Sequence, residues 1–182
     1  MRLTTRRLIL VAGTVDLATA ELTDRDEFGR QLRAEVSDER PPPLSDEEAL
    51  RGFIRILESG PSALNWAAWY FLLNRSDAGP LAIGMGGFKG PPSREGTVEI
   101  GYSIVPTHHR RGFAPEAVDG LLTWAFAHPG VEAVIAHTLP DLRASIRVLK
   151  KCNFDPDGEG SEEGAIRFRL PRAAWEQSSH GA

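Results

Sequence analysis

The sequence predicts an α+β protein in which helices flank a mixed central sheet. Short runs of alternating or continuous apolar residues, which are typical of strands, recur between amphipathic stretches with helical spacing. With 182 residues and 41% hydrophobic side chains, the chain is long and apolar enough to bury one core. We therefore expect a single domain over residues 1–172 and a flexible tail over residues 173–182.

The N-terminal part contains one strand signal followed by helix signals. Residues 8–11 form an apolar run that predicts an opening strand, and the imperfect helical spacing of residues 15–36 predicts one or two short helices. Three consecutive prolines in residues 37–44 (SDERPPPL) favour a stiff, exposed connector. Ser45 then begins a helix, and Glu48 completes a capping box. The expected buried stripe of that helix comprises Leu50, Phe53, Ile54 and Leu57.

A β-hairpin is expected in the middle of the chain. Residues 66–74 (WAAWYFLLN) and 81–88 (LAIGMGGF) are predicted strands, and a turn at residues 76–79 joins them. The glycines of the second strand do not match a nucleotide-binding loop, because the polar segment GPPSREG follows them instead of a helix. We interpret Gly84 and Gly86 as sites of close strand packing.

Residues 97–105 (TVEIGYSIV) alternate between the two faces of a further predicted strand. One face carries Val98, Ile100, Tyr102 and Ile104, and the other carries Glu99, Gly101, Ser103 and Val105. The second face combines a carboxylate, a gap and a hydroxyl, which suits a ligand. Pro106 cannot donate to a ladder, so we expect the backbone groups near Ile104 and Val105 to be free for a ligand.

A basic glycine turn and a helix follow this strand. Residues 108–112 (HHRRG) precede Ala114 and Pro115, and proline is favoured at the first helical position. Apolar residues from 118 to 126 keep the spacing of one buried helix face, until residues 128–130 (HPG) end the helix. The helix is therefore expected to follow a turn that carries two arginines.

The start of this helix is a candidate anion site. A helix N-terminus presents unpaired N–H groups and the positive end of its dipole, and Arg110 and Arg111 add two guanidinium groups. Gly112 has no Cβ, so a phosphate could approach the backbone closely. The alternative is that both arginines are solvated loop charges, but the order strand, proline, basic turn and helix favours the anion site.

The C-terminal part completes the sheet in this prediction. Residues 131–139 are typical of a buried parallel strand, and Asp141 is expected to cap a helix. A last strand is predicted over residues 165–170, and residues 178–182 (SSHGA) of the tail are expected to be disordered. One side of the predicted helix carries Ile146, Leu149 and Cys152.

Composition argues against several classes of protein. A net charge of −4 and a pI near 5.8 do not favour binding to nucleic acid or to acidic membranes. The single cysteine, Cys152, excludes an internal disulfide, and the lack of a Cys/His cluster in the sequence argues against a metal site. The apolar run LILVA is far shorter than the ~20 residues needed to span a bilayer. We therefore expect a cytoplasmic protein.

The strand, turn and helix together resemble the GCN5-related N-acetyltransferases (GNATs), and within them the branch that acetylates the N-termini of ribosomal proteins. The family turn reads Q/R-x-x-G-x-G/A, and residues 109–114 read HRRGFA, with histidine in the first slot. The flanking sequences EIGYSIVP and APEAVDGLLTWAF are also similar to the family. The resemblance implies the GNAT fold, whose mostly antiparallel central sheet is splayed in the middle and receives acetyl-CoA in the opening.

The resemblance also implies where acetyl-CoA, the co-substrate, would bind. Its pyrophosphate is expected on the basic turn, and its pantetheine arm along the backbone at the end of the preceding strand. The expected cofactor-binding residues are Ile104, Val105, His109, Arg110, Arg111, Gly112, Phe113, Ala114 and Ser145. No metal is implied.

Two residues are candidates for the chemistry. Glu99 lies on the open face of its strand, where members of the family often carry a glutamate, so we predict that it acts as the base; the alternative is an exposed carboxylate or an ion pair with an arginine. Ser145 matches the family serine and is expected near the thiol of CoA, although a serine at a helix start can also satisfy local backbone. Leu142 replaces a family asparagine that contacts the cofactor, and Asn153 replaces a glycine whose left-handed conformation asparagine tolerates.

The reaction implied is direct transfer of an acetyl group from acetyl-CoA to a primary amine in a ternary complex. The acceptor would be a small-molecule amine or a protein N-terminus, and the sequence does not identify it, because variable segments build the substrate walls. The alternative is a non-catalytic acyl-CoA-binding or regulatory module of the same fold, which Leu142 favours. Neither a nucleic-acid nor a membrane partner is expected, and the resemblance is compatible with a homodimer.

Overall fold

The computed structural model describes residues 1–43 and 45–179, which form nine strands and six α-helices. The strands are β1 (Arg2–Thr4), β2 (Leu8–Ala12), β3 (Glu35–Val36), β4 (Ala68–Leu73), β5 (Leu81–Phe88), β6 (Thr97–Ile104), β7 (Ala133–Thr138), β8 (Asp155–Glu159) and β9 (Ile166–Pro171). The helices are α1 (Val15–Thr23), α2 (Arg25–Leu32), α3 (Glu47–Glu58), α4 (Phe113–Phe126), α5 (Arg143–Lys151) and α6 (Arg172–Ser179). In the part of the chain that is described, no helix is long and apolar enough to cross a membrane.

All nine strands belong to one sheet, in the order β1-β2-β4-β5-β6-β7-β9-β8, with β3 paired to β5 beside this path. The pairings are antiparallel except for β6–β7 and β3–β5. This mixed sheet with its flanking helices confirms the predicted α+β class. The antiparallel β4–β5 pair confirms the hairpin, and the parallel β6–β7 pair confirms the parallel strand predicted over residues 131–139.

The sheet opens between β6 and β7. Their register covers three pairs and ends where Glu99 lies opposite Ile135. Beyond that point β6 continues to Ile104 and β7 to Thr138, and the described chain shows no further pairing between them. The two strands therefore diverge into a V-shaped opening, here called the V, as the splayed sheet of the resembling family implies.

Helices cover the two faces of the sheet unequally. α4 and α5 pack on one face, where alternate residues of β6, β7 and β9 join the main core. α1, α2 and α3 pack with β2, β4 and β5 in a second core on the other face. On this second face, here called the open face, a row of residues on β6, β7 and β9 is half-buried or exposed. They are Glu99, Gly101, Ser103, Ile135, His137, Arg167 and Arg169.

The start of α3 differs from the sequence prediction. The carboxylate of Asp46 accepts a hydrogen bond from the amide of Ala49 at 3.0 Å, so the N-cap is Asp46 and not Ser45. The predicted apolar stripe is present, but only its first member is fully buried. Leu50 is buried, whereas Phe53, Ile54 and Leu57 are half-buried.

The prediction also missed the two short strands at the ends of the sheet. β1 has three residues, and β8 (DPDGE) has no apolar alternation. Both strands are defined by antiparallel pairing with a longer neighbour, β1 with β2 and β8 with β9. Local alternation of apolar residues does not indicate such pairing, so neither strand has a sequence signal of its own.

The proline-rich connector is anchored to the sheet, and the expectation of an exposed segment is wrong at Arg40. The buried guanidinium of Arg40 forms an ion pair with the buried carboxylate of Glu21 in α1. Its Nη1 also donates to the carbonyl of Gly84 at 2.9 Å. The β4–β5 register shifts there and leaves Ile83 opposite no residue of β4, so Arg40 satisfies backbone beside an irregular ladder. Leu44 lies outside the described residues.

The C-terminal segment is helical where a tail was expected. Arg172, the first residue of α6, donates three hydrogen bonds to carbonyls at the end of α4 and in the loop that follows it. The ring of Trp175 stacks on that of Phe126, with centroids 5.6 Å apart. The chain is therefore helical as far as Ser179 and contacts α4 through Arg172 and Trp175, and residues 180–182 lie outside the described range.

Candidate active site

The backbone of β6 offers polar groups to the V. In an antiparallel pair, alternate residues direct their N–H and C=O groups to the partner strand. The amide of Lys89 donates to the carbonyl of Glu99 at 3.0 Å, and Val105 donates to Ile83 at 2.8 Å. The odd-numbered residues of β6 therefore direct their backbone N–H and C=O groups to β5. It follows that Tyr102 directs its backbone groups towards the V, beyond the last β6–β7 pair, where a ligand can bond to them.

The backbone at Ile104 and Val105 is less free than the sequence predicted. Val105 donates to β5, and its carbonyl accepts from the amide of His108 at 3.0 Å. Nε2 of His109 donates to the carbonyl of Ile104 at 2.6 Å. The prediction that backbone groups are free for a ligand is therefore wrong for Val105, because hydrogen bonding to β5 extends one residue past the end of β6. By the same alternation, the amide of Ile104 faces the V.

The turn before α4 carries the candidate anion site. Gly112 is the N-cap of α4, with a left-handed φ of 80° that favours glycine. The helix starts at Phe113, so Pro115 is its third residue. The prediction that Pro115 is the first helical residue is wrong. No side chain in the described ranges caps this end, which leaves its N–H groups available. Arg110 is exposed and makes no hydrogen bond or ion pair with any described residue.

The other residues of this turn differ in what they expose. The side chain of Phe113 is buried in the main core, so its contribution to a ligand is limited to its backbone. Ala114 is half-buried, and Arg111 is exposed with its guanidinium 5.3 Å from the centroid of the Phe113 ring. His109 is engaged with β6. The structure thus places Arg110, Arg111 and the backbone of residues 112–114 next to one another at the end of β6.

Arg7, between β1 and β2, supports this turn and was not singled out from the sequence. Its Nη1 donates to the carbonyl of Arg111 at 3.0 Å, and its Nε pairs with the carboxylate of Glu116 at 2.7 Å. Glu116 lies in the first turns of α4 and also accepts from the hydroxyl of Thr5 at 2.7 Å. Because 104 positions separate Arg7 from Arg111, no local pattern could have indicated this contact.

Glu116 makes the stability of this corner depend on pH. Burial opposes ionisation, but hydrogen bonds from Thr5 and Arg7 outweigh it and hold the pKa of Glu116 below its ordinary value. A depressed pKa adds stability above the unfolded-state value of 4.5, and this stability is lost as the pH falls through the folded-state value. We expect Glu116→Gln to lower the free energy of unfolding by about 1–3 kcal/mol at neutral pH.

Urea unfolding of the wild type and of Glu116→Gln, at neutral pH and in acid, measures this dependence. The difference between the two proteins should shrink as the pH falls below 4.5. Glu47→Gln is the control, because the Glu47 side chain is 67% exposed and its loss should matter little at either pH. If Glu116→Gln lowers the free energy of unfolding equally at both pH values, the lowered pKa of Glu116 is contradicted.

Glu99 lies at the point where the V opens, on the open face. Its Oε1 is 2.5 Å from Nζ of Lys89 and 3.0 Å from Nδ1 of His137. It lines a cavity of about 440 Å³ together with Lys89, Arg167 and Arg169. The ion pair that the sequence left open is therefore present, but its partner is Lys89 and not an arginine, and His137 lies beside it.

Open space lies beside Glu99 on the same strand. A Cβ added at Gly101 would meet no atom within 4 Å. The hydroxyl of Ser103 donates to the carbonyl of Pro43, and the carboxylate of Glu39 accepts from the amide and hydroxyl of Thr107 at 2.9 and 2.6 Å. The proline-rich connector therefore crosses β6 and borders the space over Gly101, where a second substrate could approach the V.

Ser145, in α5, meets Tyr102 across the V. The hydroxyl of Tyr102 donates to the carbonyl of Ser145 at 3.2 Å and lies 3.4 Å from its Oγ. Burial raises the pKa of Tyr102 well above its ordinary value, so this hydroxyl stays protonated at neutral pH. Sequence periodicity placed Tyr102 on an apolar face and did not indicate its contact with Ser145.

The rest of α5 shows how the two departures from the family pattern are accommodated. The helix begins after Leu142, which is 37% exposed, and within the described ranges no side chain caps it, so the predicted cap at Asp141 is wrong. Asn153 has a φ of 61°, the left-handed conformation expected there. Burial raises the pKa of the Cys152 thiol to about 12, consistent with a packing role. No group of three or more His, Cys, Asp or Glu among the described residues could hold a metal ion.

Comparison with known proteins gives consistent similarities. A family model described as an acetyltransferase (GNAT) domain matches residues 14–155. The uncharacterized N-acetyltransferase YjdG of Bacillus subtilis (strain 168) is 29% identical over 153 residues, which cover 84% of this chain and 88% of YjdG. The uncharacterized N-acetyltransferase YoaA of the same organism is 35% identical over 86 residues, which cover 47% of this chain and 48% of YoaA. The chain thus spans about half the length of YoaA.

A solved structure shows the same fold. The aminoglycoside acetyltransferase AAC(6')-Ib in complex with coenzyme A superimposes with a TM-score of 0.64, covering 94% of this chain and 99% of that protein. The two sequences are 17% identical, so this similarity establishes the fold alone.

Proposed function

The chain belongs to the GNAT acetyltransferase family, and from this membership we propose that it transfers the acetyl group of acetyl-CoA directly to a primary amine within a ternary complex. The V between β6 and β7 supports this function most strongly, because β6 leads directly from it to the uncapped, arginine-bearing start of α4. An elongated ligand with amide groups along its arm and a pyrophosphate at one end fits this combination. Acetyl-CoA has that form.

Each part of the cofactor would have a defined place. The pantetheine arm lies along the backbone of Tyr102 and Ile104, with the amides that face the V as its main partners. The pyrophosphate accepts hydrogen bonds from the backbone N–H groups of Gly112, Phe113 and Ala114 and from the guanidinium groups of Arg110 and Arg111. His109 holds the turn against β6 by its bond to Ile104.

The chemistry uses both faces of the sheet. Bound acetyl-CoA supplies a thioester-activated acetyl group in the V. On the open face, Glu99 assists removal of a proton from the incoming amine. On the other side, Ser145 and the protonated hydroxyl of Tyr102 are assigned as donors to the departing thiolate, and the Tyr102 hydroxyl would turn to it from the Ser145 carbonyl. The amine and the leaving group are thereby kept apart.

The acceptor is proposed to be a small-molecule amine or the N-terminus of a peptide. AAC(6')-Ib is named an aminoglycoside acetyltransferase, which is one example of an amine acceptor within the fold. The cavity beside Glu99 is lined by side chains of both charges, including Lys89, Glu95, Asp157 and Arg169. Such a lining suits a polar amine better than an apolar one.

A non-catalytic acyl-CoA-binding module is the second candidate, and Leu142 is the observation that favours it. Leu142 is 37% exposed at the start of α5, where an asparagine side chain would offer a donor and an acceptor. A leucine there cannot hydrogen-bond to the cofactor. Such a module would bind acetyl-CoA and acetylate no amine.

Calorimetric titration of acetyl-CoA into the wild type and into the double variant Arg110→Ala/Arg111→Ala tests cofactor binding. Two charge-assisted contacts are worth about 1.5–3 kcal/mol each, so we expect the Kd of the double variant to rise at least about 100-fold. The control is Arg51→Ala/Arg55→Ala, which removes two exposed arginines of α3 and should leave the Kd unchanged.

Three outcomes separate the candidates. No binding by the wild type would contradict both functions. Equal Kd values for the two double variants would show that the pyrophosphate binds elsewhere than at the turn. Binding without acetylation of any member of an amine panel, comprising spermidine, ribostamycin and a peptide with N-terminal serine, would favour the non-catalytic module.

A further inference from the structure

We propose that His137 is the group that takes the proton from the acceptor amine, and that Glu99 is the carboxylate that holds and stabilises the His137 ring. This inference deepens the proposed acetyl transfer and depends on it. His137 lies on β7, and neither periodicity nor a sequence motif distinguished it from other strand residues.

The two nitrogens of His137 have different surroundings. Nδ1 is buried and lies 3.0 Å from Oε1 of Glu99, although its N–H direction does not align with that oxygen well enough for a hydrogen bond. Nε2 has no hydrogen-bond partner among the described residues and is not fully buried. The ring therefore turns one nitrogen to a carboxylate and presents the other to the open face.

The position of His137 in the sheet suits this role. Glu99 and Ile135 are the last paired residues before the V, and His137 lies two residues beyond Ile135 on the same face. The unfilled space over Gly101 is on this face as well. An amine that enters through that space towards the V would approach Nε2 of His137.

Charged groups around the ring explain why His137 is better suited to act as the base than Glu99. Oε1 of Glu99 already contacts Nζ of Lys89 and Nδ1 of His137, so an arriving ammonium group would compete with two nitrogens for it. On the other side, Arg167 is the cross-strand neighbour of His137, and its Nε pairs with the carboxylate of Asp157 at 2.8 Å. Glu99 is thus the carboxylate that directly faces the imidazole and can stabilise its protonated form.

The proton transfers balance as follows. The acceptor arrives as an ammonium ion and loses one proton to Nε2 of His137, which becomes an imidazolium paired with Glu99. The neutral amine then forms the C–N bond of the product amide as the C–S bond of the thioester breaks. A second proton leaves the nitrogen and ends on the departing thiolate, and His137 returns its own proton to solvent.

The first test is independent of the acceptor. In the 15N NMR spectrum of the imidazole groups at alkaline pH, we expect the neutral His137 ring to carry its proton on Nδ1 and to leave Nε2 unprotonated. Glu99→Gln should reduce this preference. A wild-type ring protonated on Nε2 would overturn the proposal, because that nitrogen could not then accept a proton, and this result decides the question even if no amine of the panel is acetylated.

The second test is kinetic, with whichever panel amine is acetylated. His137→Asn keeps a donor near the Nδ1 position and removes Nε2, so we expect kcat/KM to fall about 100-fold or more while the Kd for acetyl-CoA changes less than about twofold. The acidic limb of the wild-type pH profile, in which activity rises as a base loses its proton, should disappear in this variant.

The control is His128→Asn, which removes a half-buried histidine at the end of α4 whose Nδ1 faces the carbonyl of Trp124. Its activity and pH profile should match those of the wild type. An unchanged kcat/KM or an unchanged acidic limb in His137→Asn would refute the role of His137. If the wild type does not bind acetyl-CoA, the proposed function itself is refuted, so the two failures are distinguishable.

Discussion

Replacement of Arg40 by methionine is expected to lower the free energy of unfolding by about 3–5 kcal/mol, because it leaves a carboxylate buried without its partner. The side chains of Arg40 and Glu21 are 2% and 5% exposed, so water cannot replace the lost contact. One oxygen of Glu21, Oε2, already lacks a described hydrogen-bond partner. The variant also loses the bond from Arg40 to the carbonyl of Gly84. Urea unfolding measures the change.

The matched control is Arg51→Met, which breaks the ion pair between Arg51 and Glu47 on the surface of α3. Those side chains are 59% and 67% exposed, and such a pair contributes about 0.3–0.5 kcal/mol. The double variant Glu21→Leu/Arg40→Met should recover part of the loss, since it removes the stranded charge as well. If Arg40→Met costs no more than Arg51→Met, the buried pair does not anchor the connector.

Replacement of Gly101 by valine is expected to abolish most acetyl transfer while leaving cofactor binding and stability intact. An added Cβ meets no atom within 4 Å, and the backbone at Gly101 is not in the left-handed region, so we expect the strand to accommodate valine. It fills the space through which the amine would reach the V. We expect kcat/KM on a panel amine to fall about 100-fold, because a small displacement of the reacting atoms has that effect.

Gly130→Val is the control for this substitution. Gly130 also has open space around an added Cβ and a backbone outside the left-handed region, but it lies in the loop after α4. Activity, the Kd for acetyl-CoA and the urea midpoint should all match the wild type. A Gly101→Val protein of normal activity would show that the amine takes another route, and weaker acetyl-CoA binding would show that the space belongs to the cofactor.

The features that the sequence predicted correctly are those encoded in neighbouring residues. Alternation along β6 placed Glu99 on the face that proved to be open. The arginines and glycine of residues 110–112 are contiguous with the helix that they precede, so their meeting at the start of α4 needed no tertiary information. The left-handed backbone at Asn153 likewise followed from a local rule about helix ends.

The features that the sequence did not predict depend on contacts between distant segments. His137 reaches Glu99 because β6 and β7 are parallel neighbours, and their register is not visible in either strand alone. Arg40 is buried because α1 supplies a carboxylate. The same holds for α6, since Trp175 packs on a ring of α4 that belongs to another part of the chain.

The short pairing between β6 and β7 affects how the width of the V is set. A hydrogen-bonded ladder holds two strands about 4.8 Å apart whatever their side chains. Past Glu99 that constraint ends, and the separation depends on the bulk of the side chains with which α4 and α5 join the main core, among them Ile146, Val148 and Leu149 of α5. Because the core is close-packed, adding or removing one methyl group there is expected to change the width of the V. Evolution could therefore adjust the opening to a different acyl chain without altering any residue that lines it.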